Sequence, residues 1–133
     1  MSAGRKILTF VAGATAVGGF LVDWNRTHLF NPDWPPHARF HDAQTISIGA
    51  LLGTAGLIAL RQGERGTAPG ALLPAFFWAS MGTAFAFPGA EGLQSEFPDR
   101  VPRLGGVWID ERFAAAGMLG LGVLGYTLER RQG

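Results

Sequence analysis

The 133-residue sequence predicts an all-α fold, an integral membrane four-helix bundle with both termini in the cytoplasm. Three observations lead there. Four apolar runs, each close to the roughly 20 residues that cross a hydrocarbon layer of about 30 Å, are separated by polar connections. None of them shows the charged outer stripe of a helix in a soluble bundle. The 20 glycines, far above the ordinary share, suit helices whose backbones approach closely inside a bilayer.

The length makes residues 1–133 one domain, with helices expected at about 6–24, 36–61, 70–88 and 106–129. The first run, Ile7–Val22, follows Arg5 and Lys6. A basic start before a short apolar run also describes a secretory signal, but this run continues through Phe20, Leu21 and Val22, and three more follow. An uncleaved first span is expected. The second run, Ala43–Leu60, is extended backwards to Pro35 or Pro36, because a proline in the first turn lacks only an amide that has no partner there. The third, Ala71–Phe87, tolerates Pro74 for the same reason and ends at Pro88-Gly89. The fourth, Gly106–Leu128, carries Trp108 and Tyr126 at its ends, where interfacial aromatics belong.

Small residues mark packing faces: Ala12, Ala16 and Gly19 on the first helix, Gly49, Gly53 and Gly56 on the second, and Ala115, Gly122 and Gly125 on the fourth. Basic residues orient the bundle. Arg5, Lys6, Arg61, Arg65, Arg130 and Arg131 crowd into three short segments on one side. Arg26, Arg39, Arg100, Arg103 and Arg112 are spread along longer, acidic segments on the other. The denser side is expected to be cytoplasmic, in a multi-pass protein of a bacterial inner membrane.

Several classes are excluded. A net charge of +1 without a basic, aromatic-interleaved stripe gives no nucleic-acid interface. The absence of cysteine removes disulfides, thiolate metal sites and thiol redox chemistry. There is no phosphate loop, dinucleotide fingerprint or nucleophile elbow.

The chemistry concentrates between Asp23 and Gln44, DWNRTHLFNPDWPPHARFHDAQ, which holds all 3 histidines. On a helix of about 100° per residue, His37, His41 and Gln44 share a face. The H-A-R-F-H spacing lacks the Glu of a zinc-protease helix, and three roles stay open: interface anchors, proton carriers, or two ligands of one weakly held divalent metal ion completed by an acid or His28. Asp42 points away from His41 toward Gly49 and Gly53, with an ion pair to Arg39 as its plainer role. Asp23 continues the small-residue face of the first helix. A carboxylate aimed into a bundle is expensive unless paired, which makes both acids candidates. Asp110 and Glu111 are expected one turn inside the fourth helix, facing the bundle, either as general acid or base or as an ion-pair network that ties down the outer loop, with Arg112 reaching outward along lipid. The candidate catalytic set is therefore His37, His41, Asp23, Asp42, Asp110 and Glu111, with His28, Asn31, Trp34 and Gln44 as ligand-binding residues. The loop EGLQSEFPDRVPRLGG, with Glu91, Glu96 and Asp99, is expected to cover the mouth.

The stretch NPDWPPHARFHDAQT resembles the signature of an uncharacterised family of small four-pass membrane proteins, through an N-P-x-W-P-P-H-A-R-F-H core. The likeness covers the first two helices and their loop well and the remainder by architecture; it implies no activity. More loosely, four helices with acids and histidines at one membrane face are similar to the sterol-isomerase and emopamil-binding group, in which a lipophilic substrate sits in the bundle and His and acidic side chains move protons. That comparison is architectural.

The expected function is thus a small membrane protein with an outward-facing His/Asp/Glu site under the 23–44 loop that binds or isomerises a lipophilic small molecule by proton transfer. The alternative is a non-catalytic subunit of a larger respiratory or photosynthetic membrane complex, the polar loop serving as a docking surface. The expected partners are the bilayer, the lipophilic molecule, and other membrane subunits or further copies of the chain. No cofactor is specified by the residues.

Overall fold

A computed structural model describes residues 1–132. It holds four long helices: α1 (Ala3–Val22), α2 (Pro36–Leu60), α3 (Thr67–Ala84) and α4 (Glu111–Gln132). A two-stranded antiparallel hairpin, β1 (Arg103–Leu104) and β2 (Val107–Trp108), precedes α4. The helices run up and down around a ring. Each packs on its sequence neighbours, α1 closes the ring on α4, and α1 also meets α3 across the middle. By length and composition α1 and α2 are apolar enough to cross a membrane.

The interior is built from small residues. Gly49, Gly53 and Gly56 on α2, Ala12 on α1, and Ala115, Gly122 and Gly125 on α4 are all buried, as their spacing predicts. At Gly53 the backbones of α1 and α2 almost touch: an added Cβ would lie 2.6 Å from both Ala12 O and Ala16 Cα. Across the ring, the Trp78 indole N–H donates to Thr15 Oγ1 at 2.8 Å, and that hydroxyl donates in turn to Val11 O at 2.7 Å, so the buried polar group is satisfied.

The large apolar side chains lie mostly outside. Phe10, Leu21, Leu51, Ile58, Phe76 and Val123 are all exposed. The accessible surface of 8305 Å² exceeds the roughly 6,700 Å² of a compact soluble monomer of this size. Outward hydroxyls are closed by their own helices: Thr45 donates to His41 O, Ser47 to Ala43 O and Thr127 to Val123 O.

One end is tied by Arg5. Its guanidinium donates to Glu129 Oε1 (3.0 Å), Leu60 O (2.5 Å), Gly63 O (3.1 Å) and Thr67 Oγ1 (3.3 Å), which joins α1 to the ends of α2, α3 and α4. Ser2 caps α1 by accepting from Arg5 N and donates to Glu129 Oε2. That cap starts the helix at Ala3, before the expected residue 6. Arg61, Arg65, Arg130 and Arg131 gather at the same end, on segments joined by the Arg5 contacts and by an Arg130–Glu64 pair.

Three further boundaries differ from expectation. The turn Gly63–Gly66 leads directly into α3 at Thr67 instead of 70, and α3 stops at Ala84, short of Phe87. The fourth helix begins at Glu111, five residues after the expected 106. Gly105 and Gly106 take φ of +54° and +80°, the left-handed pair of a two-residue hairpin turn, and this folds 103–108 into β1–β2.

Replacing Gly53 by leucine should lower stability by more than about 3 kcal/mol, because the new side chain meets backbone that cannot move aside. Gly120→Leu, where nothing lies within 4 Å, should change the thermal midpoint in detergent little. Equal midpoints for the two variants would refute close backbone packing as the organising contact.

Candidate functional site

At the end opposite Arg5, the connection after α1 coils back over the bundle. Asp23 caps the helix through its N–H to Gly19 O, and its own carbonyl accepts from Asn25 N and Leu29 N. Asn31, 1% exposed, holds the coil together: its side chain donates to Thr27 O and accepts from Asp33 N, and its carbonyl accepts from Arg39 at 3.0 Å. Arg39 is thereby committed to the loop and not to Asp42, the partner expected from their spacing.

This coil aims His28 at Asp23, with Nε2 3.6 Å from Oδ1, and sets the ring edge-on against Trp34. The Nδ1 atom lies 2.8 Å from Thr27 Oγ1, whose hydroxyl is 2.7 Å from Asn25 Oδ1. Asn25 Nδ2 donates to Val22 O, which fixes its Oδ1 as the acceptor of the Thr27 proton. Thr27 then accepts from His28 Nδ1–H. The free edge of the imidazole, Nε2, faces the carboxylate at ion-pair distance, beyond a direct hydrogen bond. Burial pushes the Asp23 carboxyl above its ordinary range; His28 draws it back, and Glu111 pushes it further up.

Asp23 and His28 form one wall of a cavity of about 390 Å³. Phe77, Trp78 and Met81 of α3 supply an apolar side, and Leu93, Val101 and Pro102 roof it. The second outer loop does cover the mouth, but through these apolar residues; Glu91, Glu96 and Asp99 are exposed. Glu111 borders the cavity from α4. Its Oε1 accepts from Leu93 N at 2.9 Å, and its Oε2 is buried without a partner. Asp42, 9% exposed, lies inward on α2, close enough to Asp23 and His28 to feel their charge, with Oδ2 unpartnered.

Asp110 has a different occupation. It is 5% exposed, it caps α4 by accepting from Arg112 N, and it pairs with the Arg112 guanidinium at 2.6 Å and with Gln94 at 3.1 Å. These hydrogen bonds from Arg112 hold its carboxyl below the ordinary range. Arg112 folds back onto Asp110 and over the Phe85 ring instead of reaching along lipid.

The histidine pair stands apart. His37, His41 and Gln44 are exposed on the outer face of α2. Their rings meet edge to face, with the Nε2 atoms 3.1 Å apart, and His41 Nδ1 lies 3.3 Å from Gln44. They would offer a metal two ligands. His28, expected as a third, is turned to Thr27 and Asp23, and among the described residues no group of three His, Cys, Asp or Glu is arranged to hold a metal ion. The structure thus brings together Asp23, His28, Asp42 and Glu111 and leaves His37 and His41 outside. The sequence reading passed over Trp78, Gln94 and Thr27. Trp78 had a signal, as an indole in the middle of an apolar run that needs a buried partner.

Residues 7–133 match the model of DUF6640, a family of unknown function. The chain belongs to the DUF6640 family. Comparison with curated proteins and with solved structures gives no match.

The two capping acids should titrate in opposite senses. The Asp23 carboxyl, raised on folding, stabilises when protonated, and that contribution is lost as pH rises through its folded value. Asp23→Asn should therefore raise the thermal midpoint at pH 7, with the gain shrinking toward pH 4. Asp110, lowered on folding, stabilises above its unfolded value, and that contribution is lost as pH falls through the folded one. Asp110→Asn should cost about 1 kcal/mol at neutral pH, since water around the half-exposed Arg112 screens the pair. Thermal unfolding from about pH 2 to 8 checks both signs, the Asp110 loss falling below about pH 4 and the Asp23 loss above it.

Proposed function

We propose that this chain is an integral membrane protein whose four helices all cross the bilayer, and that it binds a lipophilic molecule in the cavity under the 23–34 coil, with Asp23 and His28 as its proton-carrying pair. The membrane reading is supported by the outward Phe, Leu and Ile side chains, the small-residue interior and the hydroxyls satisfied within their own helices. The gathering of basic residues at the Arg5 end supports a cytoplasmic location for both termini. The single observation that carries the functional reading is an imidazole whose free nitrogen faces a half-buried carboxylate at the edge of an apolar-walled cavity. Such a pair gives or takes one proton beside a bound molecule without a net charge entering the bundle. The role expected for His37 and His41 passes to His28 in this reading.

A specific observation favours a second reading. Phe40 stacks on His37 and meets His41, and all three rings are exposed on the edge of α2. In that reading this edge docks another membrane subunit, and Phe40→Ala releases a chain that otherwise co-purifies in mild detergent.

Protein purified from native membranes should carry a lipophilic compound detectable by mass spectrometry. His28→Ala and Asp23→Asn should lose it while His41→Ala keeps it, all three remaining folded. Retention by His28→Ala, or loss on His41→Ala alone, would overturn the assignment. Reporter fusions in the Glu96 loop and at the C-terminus should read outside and inside respectively; the opposite pattern would reverse the orientation.

A further inference from the structure

The cavity is open sideways. Between α1 and α4 runs an apolar groove of about 930 Å³, bordered by Phe10, Gly13, Val17, Leu21, Phe113 and Gly117. It shares Ala14, Gly18, Val22, Trp78 and Ala114 with the cavity, so the two spaces adjoin, with Trp78 at the junction. Added Cβ atoms at Gly13, Gly18 and Gly117 would meet nothing within 4 Å. These glycines leave room where those of the α1–α2 contact allow none. From Thr9 to Val22 the groove follows α1 for about 20 Å, the length of a long alkyl chain.

The polar end is short of donors. Among the described residues, the buried side-chain atoms without a partner are Asp42 Oδ2, Glu111 Oε2 and Gln94 Oε1, all of them acceptors. Asp23, Asp42 and Glu111 stand against His28, because Arg112 is committed to Asp110 and Arg100 is an exposed residue at the rim. A phosphate or carboxylate head would sit among carboxylates. A bare metal ion lacks a third close ligand. An ammonium group brings donors only, together with the opposite charge.

We propose that the site takes a long-chain amine that enters sideways from the bilayer between α1 and α4, its ammonium between Asp23 and Glu111 and its chain lying past Trp78 along the groove. This rests on the reading of the cavity as a lipophile pocket. Asp42 stands behind Asp23 and adds to the negative potential there.

The test uses the full chain in phosphatidylcholine nanodiscs with three probes of one length, brominated in mid-chain: octadecylamine, octadecanol and octadecanoic acid. Bromine quenches nearby indole fluorescence. The amine should quench saturably and bind about tenfold more tightly than the alcohol, with the acid weakest. Trp78→Phe should remove most of that quenching. Glu111→Gln keeps the oxygen that accepts from Leu93 and should cut amine affinity about tenfold while leaving the alcohol nearly unchanged. Gly117→Leu should weaken all three probes, and Gly120→Leu, outside the groove, none. Equal binding of amine and alcohol, with saturable quenching kept, overturns the head-group assignment and leaves the pocket standing. Unchanged binding in Gly117→Leu, or unchanged quenching in Trp78→Phe, overturns the sideways route. No saturable quenching by any probe sinks the lipophile pocket itself.

Discussion

One guanidinium makes this bundle asymmetric. Arg5 carries five donors in a planar fork, and four of the groups around it belong to or adjoin the ends of different helices: Glu129 on α4, the carbonyl of Leu60 on α2, Gly63 in the following turn and Thr67 at the start of α3. Carbonyls at the C-terminus of α2 have no partner within their own helix, so the arginine satisfies groups that would otherwise need water. Glu129 accepts from both Ser2 and Arg5, which holds the charge pair in one geometry and spares each partner an uncompensated burial. The register of all four helices is fixed from this end.

The consequence appears at the other end. Asp23, Asp42 and Glu111 converge there with one imidazole and no arginine of their own, since Arg39 serves Asn31 and Arg112 serves Asp110. Acceptors are left over where donors would stabilise the fold. A protein selected only for stability would place a basic residue or an apolar side chain at these positions. Acids at these positions, under a roof of Leu93, Val101 and Pro102, fit the binding site proposed above, in which stability is given up for a ligand.

Much of this was legible in the sequence, for a physical reason that also marks where legibility ends. Helix existence and packing faces follow from periodic local signals, so the Gly49–Gly53–Gly56 face and the inward turn of Asp42 were readable at about 100° per residue. The β1–β2 hairpin was hidden because Gly105-Gly106 reads equally well as small residues at a helix start; only φ > 0 at both positions separates the two. Asp110 looked like an acid inside a helix because the helix was begun too early. Once Glu111 is the first residue, Asp110 becomes a cap with a bonded arginine. His28 was underrated because its role depends on a coil closed by Asn31 and Thr27, and such contacts have no periodicity to read. His37 and His41 were prominent for the opposite reason: an i, i+4 pair is conspicuous in sequence whichever way its face turns.

The same asymmetry explains why α1 is the helix on which everything else is hung. It packs against α2 through Gly53 with no room for a methyl group, yet against α4 it leaves Gly13 and Gly18 bordering open space. The α1–α4 seam is closed at the Arg5 end, where Gly4 and Gly125 leave no room for a methyl group, and it widens into the groove only toward Val17 and Leu21. Trp78 stands where that seam meets the polar cavity, its indole held from across the ring by Thr15. One large aromatic side chain, fixed by a hydrogen bond, therefore lines both the groove and the cavity that holds Asp23 and His28.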